Sequence, residues 1–419
     1  MSIEPQAMPE QTAWGRGQSE LRARAVLAAR RAFDIDAYRV RWSEAGLSDA
    51  GGIASAWDTI PLLSKEELIE GALRVPPFGG RLAVPQSDIA HVFVAPGPLY
   101  MPFTGGDIDR VSASFATAMR SCGLRSSDIV DQTTMYNWVI AATALDKALR
   151  MIGCGVVPGG VGQTERHLDA ICDLGISAIV AFPTFLEHLL DAARGQGRLL
   201  PLRRAVVMGE LSHPEAKARM RREHGIEARE FYGTADVGAV AWECANACGM
   251  HLRDDLLVEF IDPVTGRVSA PDTGAPVEIV VTDLDRQAMP IIRLRTGDLI
   301  NGLETGPCRC GNPAPRIRRI IGRSSEITKV KGMFVVPKLV QDVFAAKQIA
   351  RNFRLRVHRS ADHQDRLALA IAGPPLKDIG ALRSGVENAL RLKVEIEFVD
   401  DLPENGPRLV DERVIGSDA

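Results

Sequence analysis

Apolar and polar positions follow two patterns along this chain. Between 130 and 300, short apolar runs alternate with amphipathic stretches, and the runs at 176–182 and 204–208 are typical of buried strands. The helices predicted around these strands cover 167–172, 185–193 and 214–222. Strands that alternate with helices indicate parallel pairing with both sheet faces covered, which is an α/β fold. Later apolar runs at 277–281 and 291–294 predict strands of a more antiparallel region.

The carboxy-terminal part follows a different pattern. Pro337 stands at a favoured first-turn position of an amphipathic helix, and the alternation that starts at 353 predicts a half-buried strand. The remaining predicted elements are strands at 367–372 and 394–398 and a helix at 379–390. This order indicates a small α+β domain with its helices on one side of an antiparallel sheet. We therefore expect a large domain over 1–322 and a small domain over 323–419.

The amino-terminal part predicts helices. Helical patterning begins near Glu20, and Ser64 with Glu67 three residues later has the spacing of a capping box. The first twenty residues are polar and lack an apolar signal core, which favours the cytoplasm.

Length and charge exclude several classes of protein. A chain of 419 residues exceeds what a single core usually serves, which agrees with two domains. The net charge of -3 offers no basic field for nucleic acid. The sequence has no apolar run of about 18 residues, so we expect no membrane-spanning helix. The partners expected are therefore small molecules or other proteins, and a homodimer is left open.

Four of the seven cysteines lie between 244 and 310, and so many cysteines in a cytosolic chain are not a disulfide framework. Thiolates and imidazole are ligands that Zn²⁺ prefers, and two short clusters would tie a long connection together. The expected ligands of a structural zinc are Cys244, His251, Cys308 and Cys310, with Cys248 in reserve. The alternative is a set of reduced, buried cysteines beside a surface histidine.

Two short motifs carry groups that could hold a nucleoside. Residues 230–236 (EFYGTAD) combine an aromatic ring able to stack on a flat base with a glycine, a hydroxyl and a carboxylate. Residues 295–298 (RTGD) place an acid after a turn glycine, where it could accept both hydroxyls of a ribose. Either motif alone is typical of a turn. The two motifs occur in a fixed order, with other short motifs before and after them. Together they indicate a site for a nucleoside.

Over most of its length the sequence resembles the phenylacetate–CoA ligase family of adenylate-forming enzymes. Matching stretches include CGVVPGGVGQT, FYGTADVGAVAWEC, DLDRQAMPIIRLRTGDLI and CRCG. The resemblance implies a large multi-layer domain for ATP and a carboxylic acid, and a small, mobile α+β domain on a hinge. Such enzymes first form an acyl-AMP and pyrophosphate, then rotate the small domain and pass the acyl group to the thiol of CoA. Family members also carry a metal-binding cluster where this chain has its cysteines and histidine.

The resemblance implies a role for each matching residue. Tyr232 would stack on adenine and Asp298 would hold the ribose hydroxyls, with Arg323 nearby. Thr234 would contact the α-phosphate, and Asp236 would stand at the position of a magnesium ligand. The other residues expected at the nucleotide and CoA are Gly209, Glu210, Gly233, Lys331 and Gly332. Residues expected at the wall of the acid pocket are Tyr136, Asn137, Pro183 and Thr184, for which packing in the core is the alternative.

Three departures from the family pattern stand out, and two of them affect ATP. In place of a Ser/Thr/Gly-rich phosphate loop before Thr104, the chain has HVFVAPGPLYMPF at 91–103, whose three prolines remove amide donors and stiffen the backbone. The acid expected at the hinge is replaced by Ser325. The tail has Pro407 at the position of the lysine that bridges the carboxylate and the α-phosphate, which leaves Arg408 as the nearby cation.

Three functions are compatible with these residues. The first is a CoA ligase that activates a small, aromatic carboxylic acid with ATP and Mg²⁺, with Thr234, Asp236 and Arg408 as its catalytic residues. The second is an ATP-independent acyltransferase that moves an acyl group between CoA and another thiol, such as that of an acyl carrier protein. The third is a non-catalytic binder of nucleotide or acyl-CoA. We expect the first, because the nucleoside motifs are retained, although the lost loop and lysine favour the second.

Overall fold

A nine-stranded sheet lies at the centre of the fold. The computed structural model of the chain describes residues 13–95, 99–210, 212, 214–271, 275–324, 328–330, 333–359, 365–376, 378–403 and 407–412. The helices are α1 (Ala13–Phe33), α2 (Asp36–Glu44), α3 (Lys65–Arg74), α4 (Gly105–Ser121), α5 (Ile140–Ile152), α6 (Thr164–Asp173), α7 (Pro183–Gly195), α8 (Pro214–His224), α9 (Pro337–Ala346) and α10 (Ile379–Leu390). Short 3₁₀ turns cover Ala50–Ile53, Trp57–Thr59 and Gln86–Asp88.

The strands alternate with helices in the first half of the chain and follow one another in the second. They are β1 (Ile89–Ala95), β2 (Leu99–Thr104), β3 (Ile129–Gln132), β4 (Gly155–Val157), β5 (Ala178–Ala181), β6 (Arg204–Val207), β7 (Glu227–Thr234), β8 (Gly238–Glu243), β9 (Met250–Leu252), β10 (Leu256–Ile261) and β11 (Val277–Asp283). The later ones are β12 (Leu294–Ile300), β13 (Leu303–Glu304), β14 (Arg316–Ile317), β15 (Ile320–Arg323), β16 (Thr328–Val330), β17 (Met333–Val335), β18 (Phe353–Arg359), β19 (Asp365–Ala372), β20 (Glu395–Val399) and β21 (Leu409–Asp411).

The central sheet has the strand order β13-β14-β9-β8-β7-β6-β5-β3-β4. In the part of the sheet ordered β7-β6-β5-β3-β4, neighbouring strands are parallel. In the part ordered β13-β14-β9-β8-β7, they are antiparallel. Helices α6, α7 and α8 pack on one face through residues such as Leu168, Leu186 and Met220. Helices α4 and α5 cover the other face, where Phe115 and Leu145 are buried. The predicted α/β class is confirmed, because both faces of the parallel part are covered.

Most predicted elements lie where the periodicity put them, but one strand starts later than expected. The run at 291–294 was predicted to be a strand, whereas β12 begins only at its last residue, Leu294. Arg293 has a φ of +50°, a left-handed conformation that interrupts an extended chain. Its backbone carbonyl accepts a hydrogen bond from Leu63 N, which ties the segment before α3 to this corner. Helix α1 also begins at Ala13 rather than near Glu20.

A second, antiparallel sheet of order β10-β11-β12-β15 lies beside the central one. Among the described residues, none of the helices has the length and apolar character needed to cross a bilayer.

The carboxy-terminal elements form a sheet of their own, of order β20-β19-β18-β21, whose core includes Phe344, Leu382 and Val386 from α9 and α10. Only its central pair, β18 and β19, is antiparallel; the two outer strands are parallel to their neighbours. The expectation of an antiparallel sheet is therefore wrong: α10 is a crossover between β19 and β20, and a crossover makes the strands it joins parallel. The domain boundary at 322/323 stays a prediction.

Candidate functional site

Two sheets bring an aromatic ring, a carboxylate and a guanidinium together. Tyr232 lies near the carboxyl end of β7, while Asp298 on β12 lies opposite Arg323 on β15. The hydroxyl of Tyr232 donates to Asp298 Oδ2 at 2.7 Å, and Arg323 Nη1 donates to Asp298 Oδ1 at 2.8 Å. The structure thus places side by side the three residues that the sequence assigned to adenine and ribose. We call them the nucleoside cluster.

Burial sets the electrostatics of the nucleoside cluster. It raises the pKa of the Asp298 carboxyl, although the Arg323 charge and the Tyr232 hydroxyl act against the shift. Burial and the neighbouring Asp298 charge also raise the pKa of Tyr232, so its hydroxyl stays a donor at neutral pH. Gly297 precedes Asp298 with a φ of +76°, and a Cβ there would lie 2.8 Å from Arg323 Nη2. Glycine at this position allows the guanidinium to reach the carboxylate.

A cavity of about 420 Å³ lies between α8 and the first half of β7. It is lined by Glu230, two residues before Tyr232 on β7, and by Ile320 on β15, the strand that carries Arg323. Lys217 Nζ on α8 lies 3.3 Å from Glu230 Oε2 and 2.8 Å from Glu243 Oε1. Burial raises the pKa of Glu230, with Lys217 opposing the shift. One wall of the cavity is polar. The sequence did not predict its charged residues, because they come from separate elements.

Other predicted site residues follow the carboxyl ends of parallel strands. Gly209 and Glu210 come just after β6, and Thr184 is in the first turn of α7. The Thr184 hydroxyl donates to Glu210 Oε2 at 2.8 Å, which joins the two strand ends. Gly209 has a φ of +79°, and a Cβ there would lie 2.2 Å from the Phe182 ring, so a larger residue would not fit. Ligands of open α/β sheets bind at this edge.

The residues predicted for the acid pocket flank the same edge. Tyr136 and Asn137 follow β3 and are exposed, while Pro183 after β5 is buried and Thr184 is exposed. The Tyr136 hydroxyl donates to Asp146 Oδ1 at 3.4 Å. Because β3 and β5 are neighbours, these residues lie at one end of the sheet. The pocket assignment itself stays a prediction.

The structure brings the four predicted metal ligands to one point. One ligand atom each from Cys244, His251, Cys308 and Cys310 lie within 4.8 Å of one another. Cys244 Sγ and Cys308 Sγ are 3.7 Å apart, close to the spacing of about 3.8 Å that two sulfurs bonded to a tetrahedral zinc at about 2.3 Å would have. His251 Nδ1 is 2.9 Å from the Ala314 carbonyl oxygen, so Nδ1–H donates to it and Nε2 is left for a metal. The donor set fits zinc.

Cys248 lies beside these four residues. Its Sγ is 3.5 Å from Cys308 Sγ, so it remains in reserve as a ligand. Burial acts to raise the pKa of Cys308, but hydrogen bonds from the Cys310 amide and from the neighbouring thiols outweigh it and lower that pKa to about 5.

One residue at the site was missed by sequence reasoning. Lys65, the first residue of α3, has its Nζ 3.3 Å from each carboxylate oxygen of Asp236. The two residues are 171 positions apart, and nothing local to Lys65 marks it as functional. Thr234, close by on β7, accepts a hydrogen bond from Val237 N at 3.4 Å. The carboxylate that the resemblance gives to magnesium is thus already paired with an ammonium group.

A second unpredicted cation, Arg286, lies near the hairpin of β1 and β2. Its guanidinium carbon lies 3.4 Å from the centre of the Phe103 ring, and Nη2 donates to the Pro102 carbonyl at 2.9 Å. Nε lies 3.9 Å from Asp107 Oδ2, too far for a hydrogen bond. Within the described part of the chain, the buried Nε and Nη1 atoms have no hydrogen-bond partner. Arg286 also lines a cleft of about 1870 Å³ that runs along α2 and α3.

Several predicted positions lie outside the described residues. These are residues 96–98, Ser325, Lys331 and Gly332. Arg408 is described: its guanidinium carbon lies 5.0 Å from the centre of the Phe353 ring, and its carbonyl accepts from Leu355 N at 2.8 Å. In this arrangement Arg408 therefore packs on the carboxy-terminal sheet.

Comparison with known proteins confirms the resemblance seen in the sequence. No protein-family model matches the chain. The chain is 29% identical to the phenylacetate-coenzyme A ligase of Pseudomonas putida over 342 residues, which is 78% of this chain and 75% of that protein. An open conformation of 2-hydroxyisobutyryl-CoA ligase superposes with a TM-score of 0.83 at 21% identity, over 98% of this chain and 96% of that one.

The same ligase in its thioesterification state superposes with a TM-score of 0.70 at 21% identity, over 99% and 95% of the two chains. The chain has the fold of the adenylate-forming CoA ligases.

Proposed function

We propose that this relative of the phenylacetate–CoA ligases is an AMP-forming acid–thiol ligase, which activates a small, aromatic carboxylic acid as its acyl-AMP and transfers the acyl group to CoA. The observation that supports this most directly is the nucleoside cluster. Tyr232 and Asp298 are far apart in sequence and on different sheets, yet a single hydrogen bond of 2.7 Å joins them.

The contacts of the cluster suit a nucleoside monophosphate. The Tyr232 ring offers a flat surface for adenine. Asp298 can accept both ribose hydroxyls once these replace its present donors, because a carboxylate has about four acceptor sites. Arg323 then balances the charge of the buried carboxylate. Gly209, Glu210 and Gly233 supply backbone at the same end of the sheet.

Metals enter the proposal in two ways. A structural zinc would be held by Cys244, His251, Cys308 and Cys310, where its chemistry is to cross-link two segments. Magnesium would arrive on the phosphates of ATP. Asp236 is the carboxylate expected to meet it, but the fit is poor, because Lys65 already pairs with both oxygens.

We also propose that residues 323–419 move as a unit. The described contacts between this unit and the rest include Val336 packed on Leu299 and Ile321, and an ion pair of Arg319 Nη1 with Asp342 Oδ2 at 2.8 Å. Movement of this unit would bring Lys331, Gly332 or Arg408 to the acyl-AMP. The loop-borne Tyr136 and Thr184 would line the acid pocket.

The test is acid-dependent release of pyrophosphate by the purified protein with ATP, Mg²⁺ and a panel of aryl acids, followed by formation of acyl-CoA when CoA is added. Release of pyrophosphate by wild type with one or more aryl acids, and its loss in Asp298→Ala, would support the proposal of a ligase. The matched control is Asp109→Ala, whose exposed carboxylate pairs with Lys147 elsewhere on the surface.

A second function, ATP-independent acyl transfer between CoA and another thiol, is favoured by one observation. The hairpin at 91–103 has prolines where phosphate-binding amides are expected, and Pro407 replaces the expected lysine. Transfer from aryl-CoA to an acyl carrier protein, without any pyrophosphate release, would support this function over the ligase. Tight nucleotide binding without either activity would mean that the protein is a binder only.

A further inference from the structure

We propose that Lys65 supplies the positive charge at Asp236 that the resemblance assigns to magnesium, so that the apoprotein holds no divalent ion at this carboxylate. This deepens the proposed function and rests on it only for the identity of the nucleotide. The pairing of Lys65 with Asp236 is an observation of the chain's own residues.

The geometry at Asp236 leaves little room for a divalent ion. The carboxylate is 8% exposed, and the Lys65 ammonium lies 3.3 Å from both of its oxygens. Magnesium requires oxygen ligands at about 2.0–2.1 Å in a near-octahedral arrangement. An ion approaching both oxygens would have to displace the ammonium, which carries the same sign of charge. A buried carboxylate needs one partner of opposite charge, and Lys65 already provides it.

Lys65 is held in this position by its surroundings. Ser64 and Glu67 form a capping box, so α3 starts directly before Lys65. Arg41 Nη2 donates to Glu67 at 2.9 Å, and Leu63 is hydrogen-bonded on both sides to the backbone of β12 and its preceding residue. A cation in the first turn of a helix opposes the helix dipole, so the helix does not favour a lysine there. Its pairing with Asp236 offsets that cost.

A second cation stands near the same carboxylate. The pKa of Arg286 is lowered by burial, and Asp236 is among the carboxylates close enough to act against that shift. Two buried guanidinium nitrogens of Arg286 have no partner among the described residues. Lys65 and Arg286 are thus both cations near a segment whose sequence has prolines instead of phosphate-binding amides. The phosphates of a nucleotide would then meet side-chain charges where backbone amides are missing.

The experiment measures Mn²⁺ binding directly, by the electron paramagnetic resonance signal of free Mn²⁺, on the full chain without nucleotide. We expect that no Mn²⁺ site in wild type depends on Asp236, so Asp236→Asn should bind Mn²⁺ as wild type does. Lys65→Met should gain a site at least tenfold tighter than any in wild type, and the double variant Lys65→Met/Asp236→Asn should lose it. Lys147→Met, which removes an exposed lysine paired with Asp109, should behave like wild type.

Two results would overturn the proposal. One is a wild-type site that Asp236→Asn abolishes and Lys65→Met leaves unchanged, because the metal would then neutralise Asp236. The other is a Lys65→Met variant that folds, by circular dichroism, and gains no site. Lys65→Gln, which keeps most of the side-chain length, replaces Lys65→Met if the latter is unstable.

A second readout uses the nucleotide. AMP and ATP affinity, measured by calorimetry without added divalent metal, should fall at least tenfold in Lys65→Met and stay within twofold in Lys147→Met. An equal affinity in Lys65→Met and wild type would contradict a phosphate-facing role. If wild type binds neither nucleotide, the proposed ligase is refuted, whereas the Mn²⁺ result still decides the pairing of Lys65 and Asp236.

Discussion

If the cysteine and histidine cluster holds the proposed zinc, removal of that zinc should loosen the segment that carries Asp298. Cys244 and Cys308 are 64 positions apart, and β10, β11 and β12 lie between them. The cluster therefore closes a long loop at its base, and this loop delivers Asp298 to Tyr232. Cys308→Ser removes the ligand whose sulfur lies 3.7 Å from Cys244 Sγ and 3.5 Å from Cys248 Sγ.

The length of this loop gives the size of the effect. Treated as a cross-link, closure of a loop of this length lowers the entropy of the unfolded chain by an amount worth about 4 kcal/mol at 25 °C. Any binding of zinc to the unfolded chain reduces this value. We therefore expect Cys308→Ser to lower the free energy of unfolding by about 2–4 kcal/mol, with a further loss of nucleotide affinity.

The assay combines elemental analysis with urea unfolding of protein purified without chelators. Wild type should contain about one zinc per chain, as expected of a four-ligand structural site, and Cys308→Ser none. Cys172→Ser, at an exposed cysteine outside the cluster, should match wild type in both measurements. If treatment with a chelator leaves the urea midpoint of wild type unchanged, the reasoning is refuted. Wild type that is purified without zinc and is as stable as the zinc-containing protein would refute it as well.

Three further changes test other parts of the site. Tyr232→Ala should weaken AMP binding by about 1–3 kcal/mol, the contribution of base stacking on an aromatic ring, whereas Tyr232→Phe should keep most of the affinity; calorimetry measures both. Arg408→Ala should lower acyl-AMP formation by about 10²–10³ if Arg408 replaces the missing lysine, and leave thioester transfer nearly unchanged. Asp107→Asn should be less stable than wild type at neutral pH, and this deficit in unfolding free energy should shrink as the pH falls below about 4, measured by urea titration.

The sign of the last effect follows from the surroundings of Asp107. Burial alone would raise its pKa, but the Arg286 charge and backbone N–H donors from Thr104, Gln287 and Ala288 outweigh burial and lower it. A carboxyl whose folded pKa lies below its unfolded pKa contributes stability above the unfolded value, and that contribution is lost as the pH falls through the folded value. An Asp107→Asn variant whose difference from wild type is independent of pH would contradict this account.

Controls separate the other two effects from general damage. Lys393→Ala removes a cation that is 94% exposed on the carboxy-terminal part, so it should leave both half-reactions unchanged. Equal losses of adenylation and transfer in Arg408→Ala would mean that Arg408 has not replaced the lysine. AMP affinity within twofold of wild type in Tyr232→Ala would mean that the ring does not stack on the base.

Periodicity predicted the layers of the fold because burial repeats along each element. The runs at 176–182 and 204–208 and the helices between them lie where the pattern put them. The mixed pairing of the carboxy-terminal sheet could not be read in the same way, since the direction of a strand depends on its partner. β21 returns from the tail to lie parallel to β18, and no local pattern in Leu409–Asp411 specifies that neighbour.

The residues of the nucleoside cluster and the candidate metal ligands could be singled out because they stand in short motifs in a fixed order, and because tyrosine, cysteine and histidine are rare in this chain. The motifs around Tyr232, Asp298 and Arg323 indicate what these side chains can bind. Lys65 and Arg286 were not predictable, since a single basic residue in a helix or loop resembles any solvated charge. Their role depends on Asp236 and Asp107, which come close to them only in the folded chain.

The packing of Val336 is one of the contacts that the proposed joint would have to open. Val336 packs there on Leu299 and Ile321, and each aliphatic side chain contributes about 1.5–3 kcal/mol when fully buried. Separating Val336 from these two side chains exposes only part of each, so this one contact contributes less than about 5 kcal/mol. A ligand bound with micromolar affinity contributes about 8 kcal/mol, which exceeds that amount. Under the proposed function, binding of a thiol donor would therefore suffice to open this one contact.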